Sequence, residues 1–358
     1  ESVDKKFQPK YSYTVHATVT DINGETHSST KVVYAGYTGF ELSNNLPNQV
    51  DLEKEELLYY ANAYNLNNEK VETNIQVKIE KLVVPNKPMK EYLFSKPGKR
   101  GWEESSFKTR FPGYEYKNEN QAYKWAVEKE VYSKSLTTKG EKKNIIDLKK
   151  IKGLVTGTYK YSAKSIDKYG NIIEDIKYFT AMSFESKTIP NNEALFVQLS
   201  KSYLEPGEEL KILVGTKAPK IKVMYEMEHK GKLVERKWIE LNANTKVISV
   251  PIKEEHRGNF SISFNTNYEN RMHKFNRTIS VPYTNKQLDL KFSTFRNKLL
   301  PGAEEEWVMT IKNTNGEKES AELLATLYDA SLDELYTPNS FYMSIYQYYY
   351  GNRVWGNA

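Results

Sequence analysis

Apolar and polar positions alternate along much of the chain with a period of two, which is typical of β-strands that have one solvent-facing side. The clearest example is the segment 71–83. Its apolar positions are Ile75, Val77 and Ile79, and they alternate with the polar residues Asn74, Gln76, Lys78 and Glu80. Similar patterns predict further strands at 57–64, 210–214, 221–227, 238–250, 288–292, 307–311 and 323–328. The pattern therefore predicts an all-β protein.

A Pro-Gly-x-Glu motif occurs twice, beginning at Pro206 and at Pro301. Each copy follows a leucine and precedes an alternating strand. A period of about one hundred residues matches the size of one β-sandwich domain. The repeat therefore predicts a tandem array of antiparallel β-sandwiches, in which the motif itself is a structural turn.

A second repeat predicts the hairpins that close these sandwiches. Tyr, Ala, Asp and Gly recur at the same spacing at positions 13, 17, 21 and 24 and at positions 159, 163, 167 and 170. Asn23-Gly24 is a strong hairpin signal, because glycine adopts positive φ without a Cβ clash. A weaker third copy runs over 258–281. We interpret the three copies as closing hairpins of successive sandwiches.

The order of these signals predicts the domain limits. Residues 1–36 would close a preceding domain, 37–186 and 190–283 would be whole sandwiches, and 284–358 would be the first part of another. The first whole sandwich is long, which we attribute to an insertion over about 85–143 that contains four prolines. Within it, Asn118 and Gln121 predict the cap of a short helix that runs to Tyr132, and the rest is expected to be loop.

Composition narrows the class of protein. The chain has 358 residues, of which 39% are hydrophobic and 27% charged, as in globular domains. It has no apolar run long enough to span a membrane and no visible signal peptide. The alternating strand pattern begins as early as Tyr11. We interpret it as an excised piece of a longer protein.

Several kinds of chemistry are excluded or unsupported. The absence of cysteine excludes disulfides, thiol nucleophiles and thiolate metal sites. The five histidines are scattered without metal-ligand spacing, and neither a Gly-x-Ser-x-Gly elbow nor a glycine-rich phosphate loop occurs. The net charge of +6 fits a solvated surface or an acidic partner, and no nucleic-acid-binding motif organises it. We predict no catalytic, cofactor-binding or metal-binding residues, no cofactor and no enzyme activity.

Two aromatic groups are the candidate functional residues. One is a dense tyrosine cluster near the end of the chain, made of Tyr342, Tyr346, Tyr348, Tyr349 and Tyr350. It could pack against a neighbouring domain outside the chain, form an exposed protease-accessible strand, or bind a glycan or protein partner. The other lies in the insertion, where the leading residues are Trp102, Phe107, Phe111 and Trp125. These could form a lid on their own sandwich or a contact surface for another domain or an envelope partner.

Several motifs together resemble bacterial α2-macroglobulins. They are FSTFRNKLLPG at 292–302, ATLYDASLD at 325–333, and YLEPGE at 203–208 followed by Tyr225 and KGKL at 230–233. DINGET at 21–26, Gly36-Tyr37 and Asn65-Leu-Asn67 resemble the preceding domains of that family. No single motif is highly specific; the resemblance lies in their order and spacing over nearly the whole chain.

The resemblance implies tandem macroglobulin-like domains of fibronectin-III-like form, with 190–283 similar to the fifth domain and 284–358 to the start of the sixth. In the family the sixth domain is interrupted by a bait region, whose cleavage triggers a collapse that traps the protease. The tyrosine cluster would then lie close to the bait. Many members also carry a thioester made from Cys and Gln, and this chain has no cysteine to supply one.

The resemblance therefore implies a structural fragment of a broad-spectrum endopeptidase inhibitor in the bacterial envelope, in the periplasm or at the cell surface. Its expected partners are endopeptidases and neighbouring domains of the same protein, with no direct insertion of this fragment into a membrane. The alternative is a cell-surface adhesion or glycan-binding array of immunoglobulin-like modules.

Overall fold

The structure is a computed structural model. It describes residues 9–90, 92, 101–139, 144–294, 296, 298–300, 302–314, 316–318, 321–323, 330–334 and 345–351. Within these ranges, regular structure is mainly β-strand, arranged in successive sheets, which confirms the predicted all-β class.

A long hairpin comes first, formed by β1 (Lys10–Thr20) and β2 (Thr26–Gly36). The two strands pair antiparallel from Lys10↔Gly36 to Thr20↔Thr26. Because directly paired residues lie on the same face, one face is largely apolar. Its apolar members are Tyr11, Tyr13, Val15, Ala17, Val19, Val33 and Ala35. Every residue of both strands is exposed, so the described part of the chain leaves most of this face uncovered.

The repeated Asp and Gly positions form the same turn twice. The Asp21 carboxylate accepts hydrogen bonds from the N–H groups of Asn23 and Glu25 at 2.9 and 2.8 Å. The Asp167 carboxylate accepts the equivalent bonds from Tyr169 and Asn171, both at 2.9 Å. Gly24 and Gly170 have φ of +83° and +82°. The predicted hairpins are confirmed, but each turn begins at the aspartate and is longer than the two residues expected.

The first sandwich packs a five-stranded sheet, in the order β4-β10-β9-β6-β7, against a three-stranded sheet, in the order β3-β5-β8. Its strands are β3 (Glu41–Asn44), β4 (Gln49–Asp51), β5 (Leu58–Tyr64), β6 (Asn74–Leu82), β7 (Val127–Thr137), β8 (Ile145–Asp147), β9 (Gly157–Ile166) and β10 (Ile172–Met182). Both sheets contribute to one core, which contains Val50, Ala61, Val77, Tyr159 and Tyr161 among others. The strands pair antiparallel except β4, which runs parallel to β10.

The strand β6, which lies between β9 and β7, shows how the sequence pattern builds this core. Its inward-facing residues are Ile75, Val77 and Ile79, and all three side chains are fully buried. Their polar neighbours in sequence lie on the opposite face. The alternation over 71–83 is therefore confirmed as a strand with one buried side.

The insertion differs from the prediction. Its helix, α1, lies at Glu104–Arg110, and a single 3-10 turn at Ala122–Lys124 is all the helix that forms between Asn118 and Tyr132. The helix predicted there is wrong, because β7 begins at Val127 and pairs antiparallel with the edge of β6. Since β7 belongs to the five-stranded sheet, the excursion from the sandwich ends earlier than the expected limit near 143. Residues 93–100 and 140–143 lie outside the described ranges.

The second sandwich packs a three-stranded sheet, in the order β11-β12-β15, against a four-stranded sheet, in the order β14-β13-β16-β17. Its strands are β11 (Phe196–Leu199), β12 (Glu209–Gly215), β13 (Ile221–His229), β14 (Lys232–Leu241), β15 (Thr245–Pro251), β16 (Phe260–Tyr268) and β17 (Arg271–Ile279). Ile212 and Val214 from one sheet and Tyr225 and Phe264 from the other share one core. The segment predicted as one strand over 238–250 is the end of β14, a turn and β15.

The two sandwiches meet at a joint, formed by residues 183–195 and the ends of the neighbouring strands. Met182, Phe184 and Ile189 form one buried cluster with Phe196 and Leu213. The Thr158 hydroxyl donates to the carbonyl oxygen of Pro190 at 2.8 Å, and the Thr245 hydroxyl donates to that of Ser186 at 2.5 Å. The connection is therefore tied to both sandwiches.

A second hairpin follows, formed by β18 (Leu288–Thr294) and β19 (Val308–Asn313). Its pairing confirms the strands predicted at 288–292 and 307–311, although β19 begins one residue later. A 3-10 helix lies at Ala330–Glu334. The last predicted strand was 323–328. Leu323 is not in a strand, and the rest of that segment lies outside the described residues. Pro301 of the second Pro-Gly-x-Glu motif also lies outside them.

Candidate functional site

The tyrosine segment, residues 345–351, lies against the end of the second sandwich. The backbone N–H of Tyr349 donates a hydrogen bond to the carbonyl oxygen of Gly258 at 2.7 Å. Gly258 follows the 3-10 turn Glu254–His256 and lies just before β16. The segment is therefore attached by its backbone to the loop that enters the closing hairpin.

Gly258 permits this close approach. Its φ is +86°, a conformation that L-residues with a side chain rarely adopt. A Cβ atom there would lie 2.6 Å from the carbonyl oxygen of Gln347 and 2.6 Å from the hydroxyl of Tyr283. Within the segment, a Cβ atom at Gly351 would lie 2.8 Å from the hydroxyl of Ser261. The segment and the sandwich thus meet closely at two glycines, one on each side of the contact.

Aromatic contacts add to the backbone bond. Tyr346 stacks on Tyr283, with ring centroids 4.9 Å apart and planes inclined by 26°. Tyr348 meets the same ring edge-on at 5.7 Å, and Tyr349 meets His229 edge-on at 6.1 Å. Such offset and T-shaped pairs are the favoured geometries of aromatic rings. Tyr283 is the centre of this cluster.

A hydrogen-bonded arginine lies beneath the cluster. Arg257 is 8% exposed and forms ion pairs with Glu254 at 2.7 Å and Glu205 at 3.1 Å. Its guanidinium also donates to the carbonyl oxygen of Pro282 and to the hydroxyl of Thr284. Because these partners come from both sides of the closing hairpin, the network fixes the loop that carries Gly258.

Two histidines line the inner side of the site. The Nδ1 atom of His229 lies 2.8 Å from the carbonyl oxygen of Asn259, so this nitrogen carries a proton. The N–H of Lys253 donates to Nδ1 of His256 at 3.1 Å. Burial lowers the pKa of His256, which favours its neutral ring near pH 7. The inner side of the site therefore presents the neutral ring of His256 beside the ring of His229.

The structure brings Tyr346, Tyr348 and Tyr349 together, whereas Tyr350 is 66% exposed and Tyr342 lies outside the described residues. Residues 345–351 do not form a β-strand. Its described packing partner is the second sandwich of the same chain, and the other roles expected for these tyrosines stay predictions. The sequence contained the partners Gly258 and Tyr283, but no local pattern connected them with the tyrosines.

The insertion aromatics mostly pack among themselves. Phe107 lies 5.2 Å from Phe111 and 5.3 Å from Tyr116, measured between ring centroids. The Arg110 guanidinium lies 4.4 Å from the centre of the Trp102 ring, and the Trp125 indole N–H donates to the carbonyl oxygen of Glu119 at 2.8 Å. These contacts of the four predicted residues lie within the insertion, and the lid and contact-surface roles expected for them stay predictions.

Other insertion residues reach the second sandwich. Lys90 forms an ion pair with Glu269 at 2.9 Å, and the Arg271 guanidinium donates to the hydroxyl of Tyr114 at 2.8 Å. The Asn192 amide donates to the side-chain oxygen of Asn120 at 2.6 Å. These contacts, which we call the interdomain clamp, join the insertion to the joint and to the β16–β17 turn. Sequence analysis missed them, because polar residues on loops carry no periodic signal.

The described residues contain no group of three or more His, Asp or Glu side chains suited to a metal ion. Over the same ranges, no helix combines the length and apolar character needed to cross a bilayer. What the geometry defines is a tandem of β-sandwiches with a tyrosine segment docked beside its second closing hairpin.

Comparison with known proteins gives one matching family model. Residues 195–333 match the family model of the alpha-2-macroglobulin bait region domain. The match covers the second sandwich and the region of β18 and β19, and it confirms the predicted resemblance to the alpha-2-macroglobulin family. No curated protein sequence matches the chain at a significant level.

Several solved structures are similar to the chain. The native conformation of Escherichia coli alpha-2-macroglobulin is 13% identical with a TM-score of 0.30, covering 86% of this chain and 19% of that one. Salmonella alpha-2-macroglobulin reacted with methylamine is 13% identical with a TM-score of 0.28, covering 87% and 19%. A tetra-tandem repeat from the extending region of a large adhesion protein is 12% identical with a TM-score of 0.22, covering 86% and 72%. The chain thus matches 19% of the length of the two alpha-2-macroglobulins.

Proposed function

We propose that the chain is a non-enzymatic structural part of a bacterial alpha-2-macroglobulin-like inhibitor that traps endopeptidases after bait cleavage. The observation that carries this proposal is the match of residues 195–333 to the bait region domain. In this proposal the two sandwiches form part of the wall of the trap. The protein acts in the bacterial envelope, in the periplasm or at the cell surface.

The proposed domain limits are those expected from the sequence: a closing hairpin at 1–36, macroglobulin-like domains at 37–186 and 190–283, and the start of a further domain at 284–358. The exposed apolar face of β1 and β2 supports the first limit, because such a face is normally covered by the rest of a sandwich. The two separate cores support the second and third.

The tyrosine segment has a specific role in this proposal. It lies beyond the matched residues 195–333 and holds the polypeptide near the bait against the second sandwich. The backbone hydrogen bond from Tyr349, a long hydrogen bond of 3.4 Å from the Tyr283 hydroxyl to the carbonyl oxygen of Gln347, and a few ring contacts give a modest attachment. A force on the chain can release an attachment of this size. Release of this segment would allow the sandwich to reorient after the bait is cut.

The full-length protein tests the proposal. It is mixed with an active endopeptidase, and its compaction is followed by small-angle scattering while protease retention is followed by size-exclusion chromatography. We expect a cut in the bait to give a more compact particle that retains the protease. The matched control is the same protease with a blocked active site, which should produce neither change. Cleavage without compaction and without retention would show that the trapping function is wrong.

A further inference from the structure

The outer face of the four-stranded sheet in the second sandwich carries a depression of about 520 Å³. Trp238, Met224 and Asn265 lie directly opposite one another on β14, β13 and β16. Directly paired residues share a face, so these three side chains form a row across the sheet. The core residues Val223 and Tyr225 are on the opposite face. The row is therefore separate from the core.

Trp238 gives this depression an aromatic wall. Its side chain is 63% exposed, although a tryptophan buries a large apolar surface when it has a partner. Met224 and Met272 also line the depression. The exposed indole, with Met224 directly opposite it on β13, provides a flat apolar surface for the C–H face of a ligand, and Met272 extends the apolar lining on β17.

Asn265 gives it a polar group. This side chain is only 6% exposed, and within the described part of the chain its amide makes one hydrogen bond, a long one of 3.4 Å to Ser263. An amide has two donors and an acceptor, so most of its capacity is unused. A buried amide with unused capacity favours a ligand that both donates and accepts hydrogen bonds.

The charges favour a neutral ligand. Lys222 lines the depression and is paired with Glu240 at 3.1 Å, and Glu269 is paired with Lys90 at 2.9 Å. Two of the three charged residues that line the depression are therefore in ion pairs, and the third is Lys220. The volume lies within the usual range of small-molecule sites, about 300–1,000 Å³, which are mainly apolar with a few polar groups.

We propose that this depression binds a neutral oligosaccharide. A pyranose ring packs its C–H face on Trp238, and its hydroxyl groups exchange hydrogen bonds with Asn265 and with the Lys222–Glu240 pair. The site is distinct from the tyrosine segment and does not depend on protease trapping.

An array of neutral hexose and N-acetylhexosamine oligosaccharides tests this with the whole chain and its variants. We expect the native chain to bind at least one of them, and Trp238→Ala to weaken that binding about tenfold or more, equivalent to about 1.4 kcal/mol. Trp102→Ala is the matched control, because Trp102 is also exposed but lies in the insertion, and it should bind as the native chain does. Asn265→Ala, checked for folding by circular dichroism, should weaken binding as well.

Two results would overturn the proposal: no oligosaccharide bound by the native chain, or equal binding by the native chain and Trp238→Ala. Sedimentation velocity of the same proteins tests the other possible occupant of this face, which is a second copy of the chain. If no oligosaccharide binds and Trp238→Ala abolishes self-association, the face is a protein interface and the carbohydrate proposal is wrong.

Discussion

The side chain of Ile189 occupies the space beside Gly215 that any side chain at position 215 would need. A Cβ atom at Gly215 would also lie 2.8 Å from the Cγ2 atom of Thr245. Ile189 belongs to the joint and Gly215 ends β12, so the close approach of the two sandwiches depends on this glycine.

Gly215→Ala should therefore destabilise the chain by about 1–3 kcal/mol, because overpacking forces the surrounding side chains or backbone to shift. Chemical denaturation followed by circular dichroism measures the change. Gly101→Ala is the control, since a Cβ atom there has open space around it. Equal stability of the two variants would show that the joint tolerates an added methyl group.

Gly258→Ala should release the tyrosine segment. The added Cβ atom would overlap the carbonyl oxygen of Gln347, so the hydrogen bond from Tyr349 to Gly258 should be lost. We expect hydrogen exchange in a peptide covering 345–351 to become about tenfold faster. Gly231→Ala separates backbone strain from contact, because Gly231 has φ of +71° and no atom near its Cβ position. If both variants accelerate exchange equally, the contact with Gln347 is not the cause.

Asp167 should make stability fall in acid. Burial would raise the pKa of its carboxyl group, but hydrogen bonds from the Asn171 side chain and from the N–H groups of Gly39, Asn171 and Tyr169 outweigh this and lower the pKa to about 2. A lowered pKa in the folded state contributes stability above the unfolded value of about 4, and this is lost as the pH falls towards 2.

Melting temperatures between about pH 5 and pH 2 measure this effect. Asp167→Asn should reduce the dependence on pH in this window, whereas Asp21→Asn, in the same turn of the exposed hairpin, provides a matched control without a contact to Gly39. An unchanged pH dependence in Asp167→Asn would contradict the role assigned to this carboxylate.

The Lys90–Glu269 pair of the interdomain clamp should contribute little to stability. Their side chains are 19% and 49% exposed, and pairs of this kind contribute about 0.2–1 kcal/mol. A double-mutant cycle with Lys90→Ala and Glu269→Ala should give a coupling in this range that decreases with added salt. The Lys164–Glu174 pair within the first sandwich is a suitable control cycle. A coupling well above this range would mean that the clamp holds the sandwiches together more strongly than its exposure suggests.

The strands and turns were predictable because their signals are local. Alternation identified β6, and the repeated spacing of Asp and Gly identified two identical turns at Asp21 and Asp167. The helix predicted to run to Tyr132 was wrong for a non-local reason. Without β7, β6 would be an open edge of the sheet, and the Lys- and Glu-rich segment from Val127 to Thr137 pairs with it. This segment then forms the edge strand, where charged side chains are common.

The tyrosine site was predictable only in part, because most of its contacts are non-local. A dense group of tyrosines marked one side of it, but Gly258, Tyr283 and His229 come from separate positions in the chain and meet only in the folded protein. The interdomain clamp depends likewise on how two sandwiches are oriented. Local spacing does not encode either relationship.

The tied connection at the joint has a mechanical consequence. Ser186 and Pro190 are each bonded to a threonine, Thr245 of the second sandwich and Thr158 of the first. A flexible linker allows one domain to rotate without moving the other, whereas a linker that is bonded to both domains couples their rotations. A rotation of the second sandwich would therefore be transmitted to the first through these bonds.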